Sequence, residues 1–554
     1  MMTENLLKNL YKAHTLSNRL PSDSLVKYKN IEGLLKARAE NQPEDEYICY
    51  YDSDEKLKSY TYKEFYINVI HLSNYLMKNG IHPGNKVATY SYNHVDTIIL
   101  YFACWVVGAV VVPININEDK ERVEFILENS KAKIIFTRNE YYVSMHMLVG
   151  KKKIKIINFD SNSYHELPDK LKKNFNISLD DESMIVYTSG TTGNPKGVVL
   201  TQYNLLVDAD SISKWHKLEK GDAMMCVLPI HHVNGTIVTM VTPMYYGGRT
   251  VLNKKFHTET FLKLLDKENV KVVSVVPTLL QYLLHSEEKI ENYNLENFSH
   301  LICGAGPLTC ELAKRFEEKF GLRIAHGYGL SETTCYSCFV PVDLEKNEHI
   351  KWQNKYGYPS IGIPIECNEM EIQDAEGKPL GENEKGEIVI RGHNVMKYYF
   401  NNDEANEKTF ENGWFKSGDE GFYTTDENGF KYFFITGRIK ELIIRGGVNI
   451  STLEIDEVIA SNEYVESGIA VGFENDWYGE EVGALVHLKN GYAKDDEEIK
   501  KMLLQFYKVK LPFFKSPKVI IITDDIPVTS TGKYQRNKVK HLFEEYKTAQ
   551  FKEY

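Results

Sequence analysis

The sequence has 554 residues, 42% hydrophobic and 26% charged, with a formal net charge of −11. That length is too great for one compact core and predicts several domains. The charge is spread over mixed-sign segments without a basic stripe, which argues against nucleic-acid binding, and eight cysteines without a framework pattern fit a reducing, cytoplasmic compartment.

Residues 1–30 are polar and charged (Lys8, Lys12, Arg19, Asp23, Lys27), hold no signal-peptide core, and read as an N-terminal extension. From about Ile31, helical and strand patterns alternate. Residues 62–79 have helical spacing (Phe65, Val69, Leu72, Leu76) and stop at Gly80. Residues 86–91, 133–137 and 153–159 read as strands. Residues 97–114, TIILYFACWVVGAVVVPI, approach the length of a membrane span, but Gly108 and Pro113 interrupt them and their second half is β-branched. A buried helix followed by a buried parallel strand is the expectation, with no transmembrane segment. The class predicted is α/β: a large N-terminal domain of mostly parallel sheets flanked by helices, then a small mobile α+β domain.

Residues 187–201 read YTSGTTGNPKGVVLT. Glycines 190, 193 and 197 and the hydroxyls of Thr188, Ser189, Thr191 and Thr192 surround Lys196. Glycine lets backbone N–H groups approach an anion closely, and lysine adds charge, so this is the composition of a phosphate cradle. It differs from the Walker pattern, since Gly197 follows the lysine, and apolar flanks predict a loop between two strands. Thr201 is placed to cap a helix over 204–214. In order come LPIHHVNG (228–235), CGAGPL (303–308), GYGLSETT (327–334), WFKSGDEG (414–421), FFITGRIKELIIRGGVNISTLEID (433–456) and PVTSTGKYQRNKV (527–539). Two adjacent histidines, 231 and 232, point to opposite sides of any regular element and make poor joint metal ligands. The lone CxxC of Cys335 and Cys338 has no second pair, so pocket or core packing explains it better than zinc or redox chemistry. Helical spacing over 495–507 and strands over 467–472, 482–488 and 518–523 describe the small domain.

Taken together, these motifs resemble the AMP-forming acyl-adenylate enzymes: acyl-CoA synthetases, luciferases and peptide-synthetase adenylation domains, over about residues 31–540. The resemblance implies a large domain over 31–438 and a small lid domain over 439–554, with ATP, Mg²⁺ and coenzyme A as cofactor and co-substrates. It assigns catalysis to Lys533, Lys196, His232 and Glu332, with Glu332 holding the metal. ATP or AMP falls to Thr188, Ser189, Gly190, Thr191, Thr192, Gly193 and Lys196, to Gly304, Ala305 and Gly306, to Tyr328, Gly329 and Ser331, and to Asp419 and Arg438 at the ribose. The family more often has Thr where Ser331 stands. Lys440 is the implied hinge, Gly446 and Gly447 the coenzyme A contact, and His232, Val233, Cys303 and Cys335 the acid pocket.

Amino-acid-activating relatives place an Asp where this chain has Val233, and a buried ammonium without a counter-charge is costly, which disfavours an amino-acid substrate. None of the five tryptophans falls in residues 228–240, 303–310 or 326–340, so an acid of medium or long chain, or an aromatic one, is expected rather than acetate. The implied reaction is acid, ATP and CoA to acyl-CoA, AMP and pyrophosphate. The alternative is an enzyme that loads the phosphopantetheine of an acyl carrier protein; a degenerate nucleotide-binding scaffold is disfavoured by the intact motif residues. The oligomeric state has no signature in the sequence.

Overall fold

The computed structural model describes residues 2–150, 153–161, 164, 167–188, 195–489, 491, 497–529 and 533–552. A seven-stranded sheet is built from strands between residues 86 and 201, with Tyr398–Tyr399 at one edge. Its strands Lys86–Tyr90, Val110–Ile114, Ile134–Thr137 and Lys155–Asn158 pair in parallel, as expected. Glu182–Tyr187 joins Val110–Ile114 in parallel, then pairs antiparallel with Gly197–Thr201. A nine-stranded sheet holds Ala223–Cys226, Val270–Val275, His300–Cys303 and Ile324–Tyr328 side by side in parallel.

The helix Tyr62–Lys78 starts at a capping box, Thr61 with Glu64, and buries Phe65, Val69, Leu72 and Leu76, the face its spacing predicts. The apolar stretch that approached span length divides into the buried helix Val95–Val106 and the strand Val110–Ile114. Trp105 Nε1 donates to Ser183 O (2.9 Å), and Gln202 Nε2 to Trp105 O (2.8 Å), which ties that helix to the next layer. Among the described residues no helix is long and apolar enough to cross a membrane. Thr201 caps Gln202–Trp215 through a second capping box with Asn204.

Residues 2–30 are more than an appendage. The helix Glu4–Ala13, capped by Thr3, buries Leu6, Leu10 and Ala13 against the strands Gly386–Gly392, Phe410–Glu411 and Trp414–Thr425. His14 Nε2 lies 2.9 Å from Met396 O, and Leu25 N donates to Tyr203 Oη (3.1 Å). The sequence reading missed this because a three-turn helix with one apolar stripe, between charged residues, looks like any solvated terminus.

Trp414–Thr425 and Lys431–Arg438 pair antiparallel in a five-stranded sheet. A short 3₁₀ turn, Ile439–Glu441, leads out of it. Beyond that turn lies a second five-stranded sheet, in which Val465–Asn475, Gly479–Leu488 and Val519–Ile522 match the predicted strands. The helices Thr452–Ala460 and Glu497–Lys510 pack on it. Its apolar residues, from Ile443 to Phe543, cluster among themselves. A separate core of this kind is the physical signature of a unit that can move as one body.

Candidate active site

A cavity runs between the large body and the C-terminal sheet. Its walls bring together Ala305 and Gly306, Tyr328 and Gly329, Asp419, Arg438 and Lys533, five stretches that the sequence reading assigned to one site. Asp419 and Arg438 are nineteen positions apart in the chain yet are direct cross-strand partners. The Asp419 carboxylate accepts from Tyr328 Oη (2.6 Å) on one oxygen and pairs with Arg438 Nε (2.7 Å) on the other. It is buried, and its own N–H donates to Ser417 Oγ (3.0 Å), which fixes the turn. The carboxylate holds the Arg438 guanidinium more firmly charged than usual, against the opposing effect of burial. Each carboxylate oxygen has a second lone pair, so the group can still accept from vicinal hydroxyls.

Lys533 is tied to Thr529: Thr529 N donates to Lys533 O (2.8 Å) and Lys533 N to Thr529 Oγ1 (3.1 Å). Burial lowers the Lys533 ammonium and the Arg438 charge lowers it further, while Asp419 and Glu332 pull it back. These are the opposing fields of a lysine held among ionic groups and poised to receive an anion.

Of the phosphate loop, Thr188 and Lys196 are described; Ser189, Gly190, Thr191, Thr192 and Gly193 lie outside the described residues. The loop does join two strands, and Thr188 N donates to Lys196 O (3.0 Å) at its neck. Lys196 Nζ sits 4.6 Å from the Tyr399 ring centroid, and Tyr399 Oη donates to Glu332 Oε1 (2.8 Å). Tyr399 arrives on the short strand Tyr398–Tyr399, which pairs with Gly197–Thr201. It was not found from sequence, since nothing in its neighbourhood marks it; only strand pairing brings it to Lys196. Burial lowers the Lys196 ammonium and Glu332 draws it up, while Lys440 and Lys408 oppose.

Ser331 and Glu332 open a 3₁₀ turn, Ser331–Thr333. Just after it Thr334 has φ 64° and ψ −61°, with Cys335 N donating to Thr333 O (2.7 Å). A γ-turn with positive φ on a β-branched residue is strained, and such strain collects at functional sites. Ala305 also has positive φ, 63°, on the loop that faces the cavity. A Cβ on Gly304 would lie 2.7 Å from Tyr336 Oη and 2.8 Å from Gly327 O, so only glycine lets these segments approach.

The histidine pair differs from the expectation of opposite sides. Residues 229–233 form a turn ahead of a π-helix, Asn234–Val241, so both rings fall on one side with centroids 4.4 Å apart. Burial pushes His232 down to about 4, with the charge of Lys533 adding to the shift, and His231 falls well below the usual histidine range. Both rings are neutral at pH 7. Val233 is buried beside them.

None of the four expected acid-pocket residues, His232, Val233, Cys303 and Cys335, lines this cavity. Cys303 is enclosed in the core with Val275, Leu279 and Leu312, and Cys335 packs in the main core; neither thiol lines the cavity. The reason is strand alternation: Ile302 faces the main core, so Cys303 faces the outer helices. Cys335 and Cys338 are both buried free thiols, consistent with packing rather than redox use. Gly446 and Gly447 have positive φ at the tip of the Ile443–Arg445 and Val448–Ile450 hairpin, where an added Cβ would meet nothing within 4 Å. They lie outside the cavity wall in this arrangement, while Lys440 sits exposed in the connecting turn.

For a divalent cation, the available donor is the Glu332 carboxylate. One oxygen is engaged by Tyr399, and among the described residues the other takes no hydrogen bond. A hard-oxygen donor near Lys196 fits Mg²⁺.

Residues 35–400 match the AMP-binding enzyme family, and residues 454–533 match the AMP-binding enzyme C-terminal domain. The chain is 34% identical to an oxalate–CoA ligase of Arabidopsis thaliana, over 84% of this chain and 89% of that protein. It is 28% identical to a long-chain-fatty-acid–CoA ligase of Bacillus subtilis, over 94% and 96%. The o-succinylbenzoate coenzyme A synthetase of Bacillus subtilis, solved with ATP and magnesium, superposes with a TM-score of 0.78 at 26% identity, over 92% of this chain and 99% of that one. The chain belongs to the AMP-binding enzyme family. It is an acid–thiol ligase of the AMP-forming kind, using ATP, Mg²⁺ and coenzyme A.

Proposed function

We propose that this cavity activates a carboxylic acid as its adenylate and passes the acyl group to coenzyme A, with the roles divided as follows. Lys533 and Lys196 neutralise the charge that develops as the acid carboxylate attacks the α-phosphorus of ATP and pyrophosphate leaves. Glu332 holds Mg²⁺, which supplies Lewis-acid polarisation of the phosphoryl oxygens when bound. Asp419 and Arg438 hold the ribose hydroxyls, Tyr328 and the 304–306 loop flank the adenine, and Ser331 reaches the α-phosphate. Neutral His232 lies beside the acid carboxylate without adding charge. The observation that carries the reading is that Lys533 shares one cavity with Tyr328, Asp419 and Arg438 although it comes from the C-terminal unit.

In this reading residues 31–438 form the large domain and residues 439–554 the lid, with residues 2–30 packed onto the large domain. After adenylation the lid turns about Lys440, withdraws Lys533, and brings residues 445–448 to the site for thiolysis. The exposed hairpin tip at Gly446 and Gly447, and the separate core of the C-terminal unit, support that exchange.

For the acid, the absence of tryptophan from the pocket stretches points to a substrate larger than acetate, of medium or long chain or aromatic. The wall behind Gly304 favours the compact members of that range. Tyr336 is fixed there by Asn234 Nδ2 donating to its hydroxyl (3.0 Å), with Ser274 Oγ donating to Asn234 Oδ1 (2.8 Å). A phenol bonded to an asparagine that is itself held by Ser274 does not yield readily to a long alkyl chain.

The test is AMP release from ATP and Mg²⁺, with and without CoA, across acetate, dicarboxylic, aromatic and long-chain acids. AMP formation that needs both CoA and one class of acid is expected. Acid-dependent pyrophosphate exchange without CoA turnover would move the acceptor to a carrier protein, and no exchange with any acid would overturn the reading.

A further inference from the structure

The catalytic unit and the C-terminal unit meet at a contact that the reaction itself does not use. Glu457 lies on the helix Thr452–Ala460, on the C-terminal side of Lys440. It reaches across the cavity rim to the first residue of the helix Cys310–Phe320 in the large body. Cys310 N donates to both carboxylate oxygens, at 3.0 Å to Oε1 and 3.1 Å to Oε2. The receiving helix has its own cap, Thr309, but that side chain accepts only from Leu312 N. The Cys310 N–H is therefore satisfied from the other unit. A helix N-terminus leaves its first N–H groups without intrahelical partners, so a carboxyl group, whose oxygens accept hydrogen bonds, is a fitting partner.

Both Glu457 and Lys533 line the same cavity. We infer that Glu457 is a positioning residue: its grip on the Cys310 N–H holds the C-terminal unit in the orientation that puts Lys533 at the site. The inference rests on the two-orientation reading of the lid given above. Any rotation that withdraws Lys533 pulls Glu457 off Cys310 and returns the carboxylate to water. Glu457 thus weights the adenylating orientation against the thiolysis orientation without touching either substrate.

The charges around it make the contact sensitive to pH. Glu311 faces it from the receiving helix; Asp456, itself paired with Arg536, and Glu454, paired with Lys515, flank it on its own helix. Glu466, paired with His285 (2.9 Å), lies on the adjoining strand, and Lys533 and Arg536 line the same cavity. Burial pushes the Glu457 carboxyl up to about 8, and the Cys310 N–H opposes that rise. In the released orientation a hydrated glutamate titrates near its ordinary value. Below that ordinary value both orientations are protonated and the balance is flat. Above it the adenylating orientation takes up a proton that the released one does not hold, so it loses ground as pH rises toward and through 8.

The experiment uses the full-length enzyme with the acid found above, and three readouts on wild type, Glu457→Gln and Glu457→Ala. These are acid-dependent pyrophosphate exchange, thioester formation from preformed acyl-adenylate, and the rate of tryptic cleavage in the exposed turn at Lys440. Glu457→Ala is expected to lower exchange about tenfold, leave thiolysis at least as fast, and speed cleavage at Lys440 several-fold, with the thermal midpoint kept. Glu457→Gln keeps an acceptor oxygen without a titrating proton. Its ratio of exchange to thiolysis is expected to stay level from pH 6.5 to about 9, where that of wild type falls. Wild-type values for both variants in all three readouts, including the pH profile, would overturn the inference while leaving the ligase intact. If wild type showed no exchange, the ligase reading would fall, and equal cleavage rates at Lys440 in all three proteins would still overturn the role of Glu457.

Discussion

At the scale of single residues, the site is a set of charges kept apart by partners of opposite sign. Lys533 illustrates the balance: burial and Arg438 push its proton off, while Asp419 and Glu332 hold it on. Removing the charge while keeping the length isolates its role. Lys533→Gln is expected to reduce pyrophosphate exchange by about a hundredfold or more, the scale on which preorganised charges act in such steps, while thioester formation from supplied acyl-adenylate changes little. Equal loss in both half-reactions would remove Lys533 from the adenylation step. Much of this was legible in sequence, because glycine, hydroxyl and lysine in one short loop carry their chemistry with them. Tyr399 and Glu457 were not legible. Each acts through a partner brought to it by pairing or packing of distant segments, and neither sits in a run with any compositional signature. The layer that Cys303 faces was not legible for a related reason: a central strand buried on both faces is apolar throughout, so its pattern does not say which side meets which layer.

Among the secondary-structure elements, the helices and strands followed their patterns closely where a cap or a stop residue was present. Thr61 with Glu64 and Thr201 with Asn204 both start the helices expected of them. The N-terminal helix shows the opposite case. Its Thr3 cap and its buried Leu6, Leu10 and Ala13 have meaning only once the sheet of residues 386–425 exists to receive them. Leu10→Ala should therefore cost about 2–5 kcal/mol of stability, the usual range for emptying a buried leucine site. Chemical denaturation of the purified variant measures this, and an unchanged midpoint would show that the helix is not part of the stable body.

For the molecule as a whole, stability depends on histidines that fold as neutral rings. Burial holds His232 and His326 down to about 4 and His300 to about 3, with His216 and His231 well below the usual range. Their free-chain value is near 6.5. Above that value neither state binds the proton and the full stability is present. As pH falls below it the unfolded chain takes up protons that the folded one refuses, and stability is lost until the folded values are reached. At pH 5 each ring whose folded value lies well below 5 contributes a loss of up to about 2 kcal/mol. A thermal midpoint that falls steeply from pH 7 to pH 5 is expected in scans at constant ionic strength. A flat profile would mean that the carboxylates, or local opening around the rings, absorb the protons instead.

The docking of the N-terminal helix also sets an order of events during synthesis. Its contacts join residues 352–404 positions apart: Thr3 to Glu407, His14 to Met396, and Ser17 to Glu369. A ribosome adding about 5–20 residues per second needs on the order of 20–80 s to reach those partners. For that interval the Leu6 and Leu10 face has no surface to rest on, and the helix is too short to be stable alone in water. The segment thus settles long after it emerges, and the newborn enzyme carries an exposed apolar tag until most of its large body has been made.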